Sequence, residues 1–193
     1  LTDRVDFATF SGHKFHAVRG VGFVYKKAGK KITPFLTGGG QEKDLRSTTE
    51  NVAGIASMAK ALRLVTDKEE FSLPKIAKMK KIIFDELAKY EDITIFSGEG
   101  EDFAPNILTF GIKGVRGEVV VHAFEEHQIY ISTTSACSSK AGKPAGTLIS
   151  MGIPTKLAQT AVRISLDDDN DMGQVEQFLT IFKQVYAKTQ KVR

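Results

Sequence analysis

The chain has 193 residues, of which 41% are hydrophobic and 26% are charged, and its formal net charge is +4. This composition is ordinary for a globular domain with a sizeable core, and no apolar run reaches the length of a membrane-spanning helix. The densest basic cluster, KIAKMKK (75–81), has no interleaved aromatic residues. We therefore expect a solvated helix face there and no direct contact with nucleic acid. The single cysteine, Cys137, allows no internal disulfide, which favours a reducing, cytoplasmic compartment.

Apolar periodicity predicts a mixture of strands and helices along the whole chain. Alternating or continuously apolar segments predict strands, and these are 5–10, 21–25, 32–36, 93–98, 106–112, 129–133 and 162–166. Other segments have apolar residues at helical spacing, or a composition of small residues that favours a helix, and they predict helices. The predicted helices are 52–65, a second that starts near 72, then 116–127, 145–152 and 155–161, and a last one that includes 175–186. This order predicts an α/β chain whose later part is an α+β layer, with helices packed on a mostly antiparallel sheet.

Polar residues predict where three of these helices begin. Thr48 or Thr49 ends a Gly-rich, charged loop and is expected to cap the first helix. Ser72 is expected to cap the second helix, with Pro74 in its first turn. The acidic run 167–171 lacks the Gly and Glu of a calcium-binding loop, so it predicts the cap of the last helix.

A lysine with polar neighbours follows the first predicted strand, in the loop SGHKFH. Lys14 is flanked there by Ser11, His13 and His16. A partly desolvated lysine amine can form a Schiff base with a carbonyl, and hydroxyl and imidazole donors beside it can hold an anion such as phosphate. A solvated surface lysine accounts for the same hexapeptide, so the residues alone leave both interpretations open.

The only thiol stands among small residues, in the run YISTTSACSSKAGKPAG (130–146). Thiolate is the reactive form of cysteine, and a run of small residues suits a nucleophile that must visit more than one place. Cys137 is therefore a candidate catalytic residue, with an incidental surface cysteine as the alternative.

Arg163 is the one charged residue within the apolar strand segment 162–166. An arginine is costly to bury without an anion, and its guanidinium matches a carboxylate. The alternative is an arginine on the solvent side of an edge strand. His122, Glu126 and His127 lie close on one predicted helix, but their order is not that of a metal-binding motif, so we predict no metal site.

Four motifs together resemble one enzyme family. They are SGHKFHAVRGVGFVY (11–25), GGGQEKDLRSTTEN (38–51), TTSACSS (133–139) and VRISL (162–166). In this order they resemble the cysteine desulfurases, pyridoxal-phosphate enzymes of the class V aminotransferase group with fold type I. The cysteine segment resembles the long-loop branch related to nitrogen fixation and iron–sulfur cluster assembly. The resemblance implies that residues 1–51 end the large cofactor-binding domain and that residues 52–193 form the small C-terminal domain.

The resemblance implies a cofactor site. Lys14 matches the lysine that binds pyridoxal 5'-phosphate covalently, and Ser11 and His13 match donors to the cofactor phosphate. Thr49 matches a threonine that reaches the phosphate bound in a partner subunit, which implies a homodimer.

The resemblance also implies a reaction, the conversion of L-cysteine to L-alanine. Arg163 matches the arginine that clamps the substrate carboxylate. Cys137 matches the nucleophile that takes the sulfur as a persulfide and passes it to a protein acceptor, either an iron–sulfur scaffold or a tRNA-thiolation enzyme.

Members of this family are about twice as long as this chain. We therefore expect the chain to be a C-terminal part of such an enzyme and to be inactive alone, because other cofactor contacts lie upstream. Three alternatives stay open: another class V aminotransferase, a selenocysteine lyase, and a non-catalytic interaction fragment. The thiol of Cys137 argues against an aminotransferase, which needs none.

Overall fold

The computed structural model describes residues 3–100, 102–133 and 146–190. These residues form two compact units, Leu1–Glu70 and Phe71–Arg193. Each unit has its own sheet, and every strand pairing within the described ranges is antiparallel. The expectation of an α/β chain with a mostly antiparallel sheet is therefore confirmed.

The first unit is built on a strand pair and the start of a long helix. Strands β1 (Phe7–Ser11) and β2 (Gly22–Lys26) pair so that Phe10 faces Phe23, and the two rings stack 4.6 Å apart. A short 3-10 helix, Gly12–Phe15, connects the strands. Ala17 is buried with two residues of the helix, Met58 and Ala61, so this connection packs on the helix.

The predicted strand at 32–36 is wrong, because these residues form no regular element. Pro34 has no backbone N–H to give to a strand ladder, and Phe35 is 96% exposed. The segment has apolar residues, but it lacks one backbone donor at Pro34 and it is largely exposed.

Helix α1 spans Val52–Leu87, where the sequence predicted two helices. Its N-terminal cap is Asn51, whose Oδ1 accepts the N–H of Gly54 at 3.0 Å, so the predicted caps Thr48 and Thr49 are wrong. Ser72 and Pro74 lie inside this helix, so they do not mark the start of a second helix. Proline in a helix interior costs about 3 kcal/mol, and we attribute its tolerance here to the burial of the helical residues that follow it.

The second unit has a four-stranded sheet in the order β3-β4-β6-β5. The strands are β3 (Ile93–Ile95), β4 (Ile107–Ile112), β5 (Ser132–Thr133) and β6 (Ala161–Ser165). The helices after α1 are α2 (Gly117–Glu125), α3 (Gly146–Ser150), α4 (Thr155–Ala158) and α5 (Met172–Gln190). The predicted strands and helices of this region are thus confirmed, but β3, β5, α3 and α4 are shorter than expected, and Ala161 begins β6 instead of ending a helix.

The main core of the second unit lies on one face of this sheet. Alternate residues of β4 and β6, including Phe110 and Val162, are fully buried against residues of α1, α2 and α5. The residue between two buried positions of a strand points to the opposite face. Arg163 follows Val162 and therefore lies on the face away from the main core.

The acidic run before α5 caps that helix, as the sequence predicted. Asp171 Oδ1 accepts the N–H of Gln174 at 2.8 Å, and Gln174 Oε1 accepts the N–H of Asp171 at 3.2 Å. This reciprocal pair is a capping box, which satisfies two backbone donors at once.

Candidate functional site

Lys14 lies in the 3-10 helix between β1 and β2, and its side chain is exposed. The backbone closes this connection tightly: Gly12 N–H donates to Val21 O at 2.9 Å, and Ala17 N–H donates to Gly12 O at 3.0 Å. A Cβ on Gly12 would stand 2.9 Å from Val21 O, so only glycine fits at this point. The result is a short, fixed turn that presents Lys14 outward.

The two predicted phosphate donors flank this lysine in the same turn. Ser11 precedes the 3-10 helix, and its hydroxyl makes no capping hydrogen bond. His13 is exposed, and its ring makes no hydrogen bond to another described residue. The turn closes at His16, which has a left-handed backbone with φ of 70°. Hydroxyl, imidazole and amine groups thus stand within four consecutive residues, a donor set that fits a phosphorylated carbonyl compound.

Thr49 lies in the loop before α1 and is exposed. Earlier in this loop Glu42, Lys43 and Asp44 all have left-handed backbones, with φ of 52°, 56° and 63°. Ser47 N–H donates to Leu36 O at 3.0 Å, which ties the two ends of the segment together. The loop leaves the Thr49 hydroxyl on the surface, available to a group outside this unit.

Arg163 is placed by strand β6, which lies between β4 and β5. Its neighbours in register are Thr109 on β4 and Ser132 on β5. The alternative of an arginine on an edge strand is therefore wrong. The residue is half-buried, and its Nε is fully buried without a hydrogen-bond partner among the described residues. A buried guanidinium nitrogen left unpaired is a ready donor for an anionic oxygen.

The predicted nucleophile, Cys137, lies outside the described residues. Strand β5 ends at Thr133, next to this segment in the sequence, and it pairs with the strand that carries Arg163. Ser11, His13, Lys14 and Thr49 belong to the first unit and Arg163 to the second. The structure thus brings three of the predicted residues into one turn, while the roles of all six stay predictions.

One buried lysine was missed by the sequence analysis. The basic cluster 75–81 was predicted to form a solvated face, and Lys78 and Lys81 are exposed, but Lys80 is 6% exposed. Its position next to the buried Met79 was the available signal, because a helix that buries 76, 79, 83 and 87 also covers part of position 80.

Comparison with known proteins identifies the family. The model of the family described as Aminotransferase class-V matches residues 3–178. The chain belongs to this family, as the four motifs suggested.

Two curated relatives show which members of this family the chain resembles. The chain is 47% identical over 192 residues to a NifS/IcsS protein homolog of Lactobacillus delbrueckii subsp. bulgaricus, covering 100% of this chain and 50% of that protein. It is 33% identical over 162 residues to the cysteine desulfurase IscS of Dictyoglomus turgidum, covering 84% of this chain and 41% of that protein. The chain therefore spans about half the length of the curated relatives it matches.

Solved structures agree with the fold. The NifS-like protein from Rickettsia africae superposes with a TM-score of 0.81 at 32% identity, covering 95% of this chain and 48% of that one. Among the described residues, none of the helices is both long enough and apolar enough to cross a bilayer.

Proposed function

We propose that this chain is the C-terminal part of a pyridoxal-phosphate-dependent cysteine desulfurase, which converts L-cysteine to L-alanine and passes the sulfur to an acceptor protein. The observation that carries the proposal is the buried Nε of Arg163, which lies on an interior strand and has no hydrogen-bond partner among the described residues. The printed name of the relative from Dictyoglomus turgidum supports the same activity.

Arg163 is proposed to hold the substrate carboxylate. A planar guanidinium gives two parallel hydrogen bonds to a carboxylate and fixes its orientation. Such fixing places the rest of an amino acid in one position relative to the reacting groups. The buried Nε supplies one donor of that pair, which no described residue of the protein uses.

Lys14, Ser11 and His13 are proposed to hold the cofactor. The Ser11 hydroxyl and the His13 ring would donate to its phosphate, and the Lys14 amine would bind its carbonyl carbon; the support for these roles is that the three residues share one turn. When bound, pyridoxal phosphate supplies an electron sink for bond cleavage at the substrate. The same Lys14 amine would hold or move a proton at the substrate.

Cys137 is proposed to accept the sulfur. Its thiolate would form a bond to the sulfur of L-cysteine while the carbon–sulfur bond of the substrate breaks, and the electron pair of that bond would stay with the carbon that is protonated to give alanine. The resulting persulfide would pass its outer sulfur to a protein acceptor, either an iron–sulfur scaffold or a tRNA-thiolation enzyme. Thr49 is proposed to reach the cofactor phosphate of a second subunit, so the active form is proposed to be a homodimer. A reducing, cytoplasmic location suits both the thiol and its product.

The test uses the full-length protein with pyridoxal phosphate, L-cysteine and a reductant. We expect equal amounts of alanine and sulfide from the wild type and from Ser139→Ala, a control in the same segment. We expect neither product from Cys137→Ser. Sulfide from Cys137→Ser at the wild-type rate would contradict sulfur transfer through this thiol. An equal or higher rate with selenocysteine would point instead to a selenocysteine lyase.

Absence of both products in the wild type would overturn the desulfurase proposal. Amino transfer to a 2-oxo acid would then favour another class V aminotransferase, and its absence a non-catalytic interaction fragment. For the 193-residue chain alone, we expect no cofactor absorbance after gel filtration. A band that persists would contradict the expectation that this chain is inactive by itself.

A further inference from the structure

Arg163 lies in the middle of a row of three polar residues that crosses the sheet of the second unit. Its partners in register are Thr109 on β4 and Ser132 on β5. Residues directly opposite each other on antiparallel strands point to the same face, with Cβ atoms about 4.5–5.5 Å apart. Because Arg163 lies on the face away from the main core, the two hydroxyl groups flank its side chain on that face.

The side chains of this row are left without partners in the protein. The Nε of Arg163 is fully buried and has no hydrogen-bond partner among the described residues. Thr109 is only 9% exposed, and neither its hydroxyl nor that of Ser132 makes a hydrogen bond to another described residue. Buried polar groups without partners lower stability, and apolar side chains would avoid that cost. The row therefore indicates a binding site for a polar ligand.

The chemistry of the row fits a carboxylate. A guanidinium has only donors, and each hydroxyl can donate one hydrogen bond. A carboxylate has about four lone-pair sites, of which a guanidinium can take two. The remaining sites need further donors where water is partly excluded. Neither neighbouring strand places an acidic side chain opposite Arg163, so its charge is available to a ligand.

Exposure decides which of the two hydroxyls is the further donor. Thr109 lies on an interior strand and is 9% exposed. Ser132 lies on β5, an edge strand of the sheet formed by the described residues, and is half-buried. A ligand bound to Arg163 therefore has more room beside Ser132 than beside Thr109.

We propose that Ser132 is a further substrate-binding residue, whose hydroxyl donates a hydrogen bond to the carboxylate that Arg163 holds. This inference rests on the proposed function, which assigns the substrate carboxylate to Arg163. Donors from two adjacent strands fix the orientation of the carboxylate as well as its position. The two residues together make the site selective for thiols that carry a carboxylate.

The test measures binding of 3-mercaptopropionate to the full-length protein loaded with pyridoxal phosphate, by isothermal titration calorimetry. This probe has the carboxylate and the thiol of L-cysteine but no amine. The control ligand is 3-mercaptopropionamide, in which an amide replaces the carboxylate. Ser132→Ala removes the hydroxyl, and Ser132→Thr keeps it. Thr133→Val is the matched control, because Thr133 pairs with Val162 of the main core and so points to the opposite face.

We expect Ser132→Ala to weaken the binding of 3-mercaptopropionate by about tenfold, which corresponds to the loss of one hydrogen bond to a charged group. The amide should lose less affinity, because a hydrogen bond to an uncharged acceptor is weaker. Ser132→Thr and Thr133→Val should bind the probe like the wild type. In Ser132→Ala the KM for L-cysteine should rise by a similar factor, with kcat and the cofactor absorbance unchanged.

Wild-type affinity for 3-mercaptopropionate in Ser132→Ala, or an equal loss of affinity in Thr133→Val, would overturn the proposal. A wild-type protein that does not bind the probe would overturn it as well. Binding that is weakened by Arg163→Met but not by Ser132→Ala would refute the role of Ser132 alone. Formation of alanine and sulfide is measured separately, so failure of the desulfurase proposal is distinguished from failure of this one.

Discussion

Replacement of Arg163 by methionine is expected to stabilise the protein. The Nε of Arg163 is buried and has no partner among the described residues. An unsatisfied buried donor costs about 1–3 kcal/mol. Methionine is unbranched and of similar length, so it can follow the same path along the sheet without the polar group. Because the residue as a whole is half-buried, we expect a gain of about 1 kcal/mol in the free energy of unfolding, at the lower end of this range.

The assay is urea unfolding of the 193-residue chain, followed by circular dichroism. Arg116→Met is the matched control, because Arg116 is exposed and pairs with Glu118 at 3.3 Å. Its change in unfolding free energy is expected to stay within about 0.5 kcal/mol. A loss of stability in Arg163→Met greater than in the control would refute the argument that Nε is unpaired.

The same substitution is expected to impair the full-length enzyme. Loss of a charged hydrogen-bonding pair to a carboxylate costs about 1.5–3 kcal/mol, which corresponds to a rise in KM for L-cysteine of about 10- to 100-fold. The cofactor absorbance of the variant should be unchanged, because we propose that Arg163 contacts the substrate and not the cofactor. If the variant is more stable but its KM for L-cysteine is unaltered, the Nε of Arg163 does not bind the substrate.

Two further substitutions test the packing and charge of the second unit. Asp171→Ala removes one half of the capping box with Gln174 and should lower the unfolding free energy by about 1 kcal/mol, measured by urea denaturation. Glu86→Gln should reduce the loss of stability in acid: its pKa is lowered, chiefly by a hydrogen bond from Lys89 and also by Lys183, so its ionised form stabilises the fold above the ordinary pKa of Glu. That contribution is lost as the pH falls through the lowered pKa, so the variant should be less stable than the wild type at neutral pH and similar to it in acid. An equal difference in unfolding free energy at neutral and at acid pH would contradict this assignment.

Periodicity predicted most elements of the second unit because their packing follows directly from the pattern. Phe110 on β4 and Val162 on β6 each belong to the alternating buried residues of their own strand. Phe182 lies on the apolar stripe of α5. In each case one face of the element is buried, which is what an apolar period reports. The register between strands is set by residue pairs that are distant in the sequence, such as Thr109 with Arg163. It cannot be predicted from the pattern of a single segment.

The errors occurred where a local signal competed with a longer-range effect. Pro74 and Ser72 form a reasonable helix start by themselves, but α1 continues through them. The segment around Pro34 is apolar, yet it has no partner strand and stays irregular. Lys80 belongs to a basic cluster, but the connection from β3 to β4 covers it and supplies two carbonyls. For Lys80 the deciding neighbours, Gly98 and Ala104, lie outside the segment from which the prediction was made.

Arg163 illustrates how a conflict between fold and residue type can indicate function. Strand β6 lies inside the sheet, where an apolar residue would be easier to accommodate. A buried donor without a partner lowers stability, and proteins tolerate such exceptions mainly at functional sites. The turn of Lys14 shows no comparable cost, because an exposed lysine needs no partner. Position alone therefore supports a ligand role more strongly for Arg163 than for Lys14, whose role rests on its sequence motif.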